Sequence, residues 1–177
     1  MEQSGIASIL ERLTQLRLTP LPDRASPGEQ LVPDVYFSWD MGAGEVSIAL
    51  DRAPGGLLRL RQTVRGDPGW LTFNIGLGSC GFGPGELLGL LAETGPETAA
   101  DGHAINIFPF LRSSDSAGYR DTPLRGELSL GPGRGLFPLL HWMREWDPAC
   151  GETVYHTLVM PLPKRDFVLD LRDLKIF

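Results

Sequence analysis

Apolar and polar residues alternate along most of this chain, and the alternation is broken at short, regular intervals. From residue 35 onward, apolar segments recur about every ten to sixteen residues, separated by Gly, Pro and Asp. They include VYFSW (35–39), EVSIAL (45–50), LLRLRQTV (57–64), WLTFNIGL (70–77), ELLGLLAE (86–93), AINIFPFL (104–111), LRGELSL (124–130), ETVYHTLVM (152–160) and FVLDLRDLKIF (167–177). Leu58, Leu60, Gln62 and Val64 fall on one side of an extended strand, with Arg59, Arg61 and Thr63 on the other. Leu71, Phe73, Ile75 and Leu77 behave alike. In the last segment Leu169 and Leu171 share a side, and Leu174 and Ile176 resume one residue out of step, which predicts a β-bulge at Asp173. Strands with one wet and one dry face predict a mainly β fold, an antiparallel β-sandwich over residues 34–177.

The first residues have a different period. Ile6, Ile9, Leu13 and Leu16 recur at helical spacing, with Leu10 beside them and Glu11, Arg12, Gln15 and Arg17 opposite. Ser4 suits the N-cap. An amphipathic helix over residues 1–18 follows, lying on its own domain or pairing with another copy. Residues 19–33 carry four prolines and little periodicity, which reads as a Pro-rich linker or surface arm.

Two segments fit less simply. ELLGLLAE suits a helix through Leu87, Leu88 and Leu91, and a strand through Leu88, Leu90 and Ala92. LFPLLHWMREW (136–146) reads as helical, with Leu136, Leu139, Leu140, Met143 and Trp146 on one side. The sandwich is therefore expected to hold one short inserted helix.

Composition narrows the classes. The 177 residues suit one well-packed domain, and 42% hydrophobic with 21% charged suits a folded chain. A formal charge of −6 gives no footprint for nucleic acid or an anionic membrane surface. No stretch reaches the roughly 20 apolar residues of a membrane span. The N-terminus lacks a basic n-region and a small-residue cleavage site, so the expected location is cytoplasmic, with Cys80 and Cys150 reduced or joined in a single bridge. Gly (22) and Pro (15) are spread as punctuation, which favours many short elements.

The stretch NIGLGSCGFGPGE contains a GxGxxG spacing at Gly76, Gly78 and Gly81. A dinucleotide site also needs a helix opening at the third glycine and an acid ending the next strand. Pro84 and Gly85 interrupt such a helix, and Asp101 precedes its strand, so the stretch reads as a turn between WLTFNIGL and ELLGLLAE. Cys80 has no histidine marked as its base, so no catalytic residue is assigned.

Polar residues concentrate in LRSSDSAGYRDT (111–122), read as a loop at one sandwich end around Gly118. Arg112, Ser113, Asp115, Tyr119, Arg120 and Asp121 are its candidate ligand-binding residues. Arg and Asp hydrogen-bond vicinal hydroxyls and a Tyr face stacks on a pyranose ring, so the set suits sugars. Trp142 is a further candidate platform, spaced from Trp146 by one helical turn. No cofactor is implied. Asp170 with Asp173, or Asp115 with Asp121, offers partial ligation for a structural Ca²⁺ but no EF-hand spacing, and the histidines are too scattered for zinc.

The closing strand FVLDLRDLKIF, the amphipathic strand WLTFNIGLG and the polar RSSDSAGYRD together resemble parts of carbohydrate-binding jelly-roll modules. The resemblance implies a noncatalytic sugar-binding sandwich and, in some members, a structural Ca²⁺ site. The leading expectation is a jelly-roll-like sandwich that binds a glycan or glycoconjugate, with Arg112, Tyr119 and Asp121 in contact. The alternatives are a scaffold subunit that forms homo-oligomers through its N-terminal helix, and a carbohydrate-active enzyme with an unrecognised site.

Overall fold

The computed structural model describes residues 4–151 and 153–177, with side chains from residue 9 onward. Helix α1 (Ser4–Leu18) opens the chain. Its stripe of Ile9, Leu13 and Leu16 is buried in the main core, whereas Leu10 faces water. The expected Ser4 cap and the contact of Ile6 concern side chains outside those described. Arg52 closes the C-terminal end by donating to the carbonyls of Leu16 and Thr19, groups that have no partner within the helix. Pro20 follows at once and cannot extend it.

Thirteen strands are formed among the described residues. The first five are β1 (Gln30–Val32), β2 (Val35–Trp39), β3 (Gly44–Asp51), β4 (Leu58–Gly66) and β5 (Leu71–Cys80). Next come β6 (Leu87–Thr94), β7 (Ile105–Ile107), β8 (Phe110–Asp115) and β9 (Gly118–Pro123). The last four are β10 (Leu128–Leu130), β11 (Gly135–Trp142), β12 (Val154–Pro161) and β13 (Phe167–Ile176). One sheet has the order β1-β2-β5-β12-β8-β9 and the other β11-β6-β13-β4-β3, with a small β10-β7 pair beside them. Every strand pairing in the sheets is antiparallel.

The expected alternation decides which side of each strand meets the core. Leu71, Phe73, Ile75 and Leu77 on β5 are buried, and so are Leu58, Leu60, Gln62 and Val64 on β4. Gln62 is tolerated there because its amide donates to the carbonyls of Pro163 and Arg165, at 2.7 and 2.9 Å. On β13 the register shifts between Leu171 and Asp173, so Leu169 and Leu171 share the inward side with Leu174 and Ile176.

The Pro-rich stretch laces the two sheets at one side. Arg24 bridges to Ala49 on β3, and residues 30–32 then add β1 to the edge of the six-stranded sheet. One core cluster contains residues from α1, β1 and both large sheets.

Two expectations are corrected and one open alternative is decided. Residues 136–146 hold no helix, because 135–142 pair with β6 as the edge strand β11. The buried set there is Leu139 and His141, at strand spacing, while Leu136 and Leu140 are exposed. His141 is held by the Arg125 amide at Nδ1, at 2.9 Å, and donates from Nε2 to Asp147 at 3.2 Å. Residues 86–93 take the strand alternative, burying Leu88, Leu90 and Ala92, so the sandwich has no inserted helix among the described residues. The glycine stretch is not all turn: Gly76 and Gly78 lie inside β5, and the chain turns only after Cys80. Gly78 takes a φ of 87° where the β5–β12 register slips, and no helix opens at Gly81.

Candidate binding face

The polar segment 111–122 is a hairpin rather than a loop. Strands β8 and β9 pair from Phe110–Pro123 to Asp115–Gly118. Asp115 closes the turn by accepting from the Ala117 amide at 2.7 Å and from Arg120 at 3.1 Å. Strand alternation then divides the candidate residues. Ser113 points to the core, where its hydroxyl donates to His156 Nδ1 at 3.0 Å, while His156 Nε2 donates to the Cys80 carbonyl at 3.0 Å. Arg112 and Ser114 point the other way, on the side of the sheet that faces away from the core.

Cross-strand partners share a side, so the register defines this outer face row by row. One row joins Tyr36, Asn74, Val159, Phe110 and Pro123 across five strands. The next joins Gly76, Thr157, Arg112 and Asp121. A third joins Tyr155, Ser114 and Tyr119. All three tyrosines of the chain stand on this one face.

Its centre is a fixed hydrogen-bonding unit. Arg112 donates from Nε and Nη2 to the two oxygens of Asp121, both at 2.8 Å. Its guanidinium carbon lies 4.2 Å from the Tyr119 ring centre and 5.4 Å from that of Phe110. The bond to Asp121 raises the Arg112 pKa against a smaller opposing effect of burial. Beside it Asn74, although on the outer side, is buried and donates to Thr72 Oγ1 at 2.9 Å.

The other end of the face is built around a missing side chain. Tyr155 lies across Gly76, so that a Cβ there would collide with its hydroxyl and come within 2.6 Å of Asp34 Cβ. The hydroxyl reaches Asp34, which also accepts from Arg12 of α1, Nη2 at 2.6 Å and Nε at 3.1 Å. Burial, then the bond to Asp34, pushes the Tyr155 pKa up to about 12. Asp34 itself has a φ of 62°, a conformation uncommon outside glycine and held here by the Gly76 amide on its carbonyl, at 2.7 Å.

The structure thus brings together Arg112, Tyr119 and Asp121. Ser113 belongs to the core, and Asp115 and Arg120 to the hairpin turn. Trp142 lies on β11 of the other sheet, exposed on the opposite side of the sandwich. Tyr36, Asn74 and Tyr155 are additions, single residues within apolar strands rather than parts of a dense polar run. For Tyr36 and Asn74 the sequence signal is the polar side of the alternation, Tyr36 and Ser38 in VYFSW and Thr72 and Asn74 in WLTFNIGL; Tyr155 has no such signal. Asp173 is bound by Arg17 at 2.7 Å, and Asp170 is buried on β13 opposite Arg59. Among the described residues no three His, Cys, Asp or Glu side chains group closely enough to hold a metal ion. Burial raises the Cys80 pKa, with Glu86 adding to it, which is the reverse of an activated thiol. No described helix is long and apolar enough to cross a membrane.

No protein-family model matches the chain, and no curated protein matches it in sequence. Solved structures do match in fold. A family 11 carbohydrate-binding module from Clostridium thermocellum, solved with a β-1,3-1,4-mixed-linked tetrasaccharide, aligns over 88% of this chain and 94% of its own, with TM-score 0.51 and 10% identity. A family 22 xylan-binding domain from Paenibacillus barcinonensis aligns over 79% of this chain and 83% of its own, with TM-score 0.47 and 11% identity. The alignment with the family 11 module shows a β-sandwich of the kind found in that carbohydrate-binding module, and at 10% identity the likeness is one of architecture.

Proposed function

We propose that the outer face of the six-stranded sheet binds a glycan or glycoconjugate without transforming it. The observation that carries this reading is the gathering of all three tyrosines around the bidentate Arg112–Asp121 pair on one open face. Such a pair is preorganised, and its remaining donors and acceptors suit adjacent sugar hydroxyls. Tyrosine rings supply apolar surface for the C–H side of a pyranose at low entropic cost. The module from C. thermocellum, seen with a mixed-linked tetrasaccharide, supports a β-glucan as the first probe.

The test is a titration of mixed-linkage β-glucan oligosaccharides, backed by a glycan array. Arg112→Ala should weaken binding by about tenfold or more, because it removes a positioned group and leaves Asp121 unpaired. Its melting temperature should barely move, since a half-exposed ion pair contributes about 0–1 kcal/mol. An array without hits, or an Arg112→Ala variant that binds like the parent, would refute the proposal.

A further inference from the structure

The outer face of the six-stranded sheet does not end at the row of Tyr36 and Asn74. Strand alternation carries it on through Ser38 on β2, Thr72 on β5 and Pro161 on β12, which pair in one further row. Beyond that row stands Trp70, the residue before β5, which is 53% exposed. Its indole Nε1 donates to Ser38 Oγ at 3.4 Å, which ties the ring to the outer side of the sheet. The backbone under it is fixed as well. The Asp40 amide donates to the Trp70 carbonyl at 3.1 Å, and the Asp40 carboxylate accepts from the amides of Gly42 and Gly69, at 2.8 and 3.0 Å. A Cβ at Gly69 would come within 2.9 Å of Asp40 Oδ2, so this close approach depends on the glycine. A single exposed hydrophobic side chain is ordinary on a protein surface. Trp70 differs because its orientation is held and it stands on the side that carries the three tyrosines.

We infer that Trp70 is a second, remote contact of the glycan face, and that its ligand is a neutral run of linked sugars rather than a terminal mono- or disaccharide. The inference rests on the glycan reading of this face. Arg112 shares a row with Gly76, which lies six residues along β5 from Trp70, and β8 lies two strands from β5. At the usual rise per residue and spacing between strands, the two contacts are roughly 22 Å apart, which takes a chain of about five linked pyranose rings.

The interval between them has matching chemistry. Its two rows hold no charged side chain, and Ser38 and Thr72 supply hydroxyls. A neutral polyhydroxylated chain crosses such a surface without stripping water from an ion. The Trp70 ring then offers apolar surface to the C–H side of one more sugar. Two contacts joined by one ligand reinforce each other, because the second forms intramolecularly once the first is made.

Calorimetric titration of the full chain with mixed-linkage β-glucan oligosaccharides, from di- to hexasaccharide, tests the inference. Affinity should rise about tenfold or more between the trisaccharide and the hexasaccharide. Trp70→Ala should fold like the parent by circular dichroism, because the side chain is exposed. It should remove that rise and leave trisaccharide binding unchanged, whereas Arg112→Ala should weaken both. Trp70→Phe, which keeps an aromatic face, should retain part of the rise. Tryptophan emission should shift on adding hexasaccharide in the parent but not in Trp70→Ala. A hexasaccharide that binds no better than the trisaccharide overturns the inference and leaves the glycan face standing. So does a Trp70→Ala variant that binds hexasaccharide like the parent while Arg112→Ala does not. Failure of every length and of the glycan array refutes the glycan reading, and the inference with it.

Discussion

Gly76 shows how much one residue can carry here. In the sequence it is part of a cofactor-like glycine spacing; in the fold it is the space in which Tyr155 lies. Gly76→Ala would press on Asp34 Cβ as well as on the Tyr155 hydroxyl, and Asp34 is fixed by its own backbone. Relief requires strand β5 or the turn at Asp34 to move, so the substitution should cost about 1–3 kcal/mol by urea denaturation. If the proposed face binds the β-glucan probe, the substitution should also weaken that binding through displacement of Tyr155. A variant with unchanged stability would show that the ring swings aside freely. Arg112 behaves differently: its partners are all on the surface, so affinity should fall there without a matching loss of stability.

At the scale of elements, α1 and β11 make opposite points. The helix reads correctly from its period, and its Ile9, Leu13 and Leu16 stripe lies inside the main core. The same stripe would have to leave that core to pair with another copy, so the helix does not support the association once expected of it. Leu13→Ala should destabilise the protein by about 2–5 kcal/mol, whereas Leu10→Ala should be close to neutral. Chemical denaturation separates the two. Strand β11 reads as a helix because Leu136, Leu139, Leu140 and Met143 fit that spacing as well. Only its pairing with β6 selects Leu139 and His141 for burial and leaves Leu136, Leu140 and Trp142 outside.

For the whole molecule, the helix, the Pro-rich arm and the two sheets share one core, and that unity has a consequence for pH. His156 is buried between Ser113 and the Cys80 carbonyl, and burial lowers its pKa from the ordinary 6.5. The unfolded chain therefore takes up a proton that the folded chain refuses. The stabilising contribution is complete above pH 6.5 and is lost as pH falls from there through the depressed value. Melting temperature should decline over that window, and His156→Gln should flatten the decline whatever its absolute stability. An identical slope in both proteins would remove His156 as the source.

The sequence by itself determined the elements whose signal is local. Period two marks the inward sides of β4 and β5, the slipped register marks the irregularity in β13, and the helical stripe marks α1, because each reports burial of nearby residues. It also marked Arg112, Tyr119 and Asp121, which a single hairpin holds together. Only the tertiary structure decided the rest of the face. Tyr36, Asn74 and Tyr155 become neighbours of Arg112 through the strand order β2-β5-β12-β8, and no local pattern encodes which distant strands will pair. The same cause placed Trp142 on the far side of the sandwich and turned an apparent cofactor loop into a strand with room for a tyrosine.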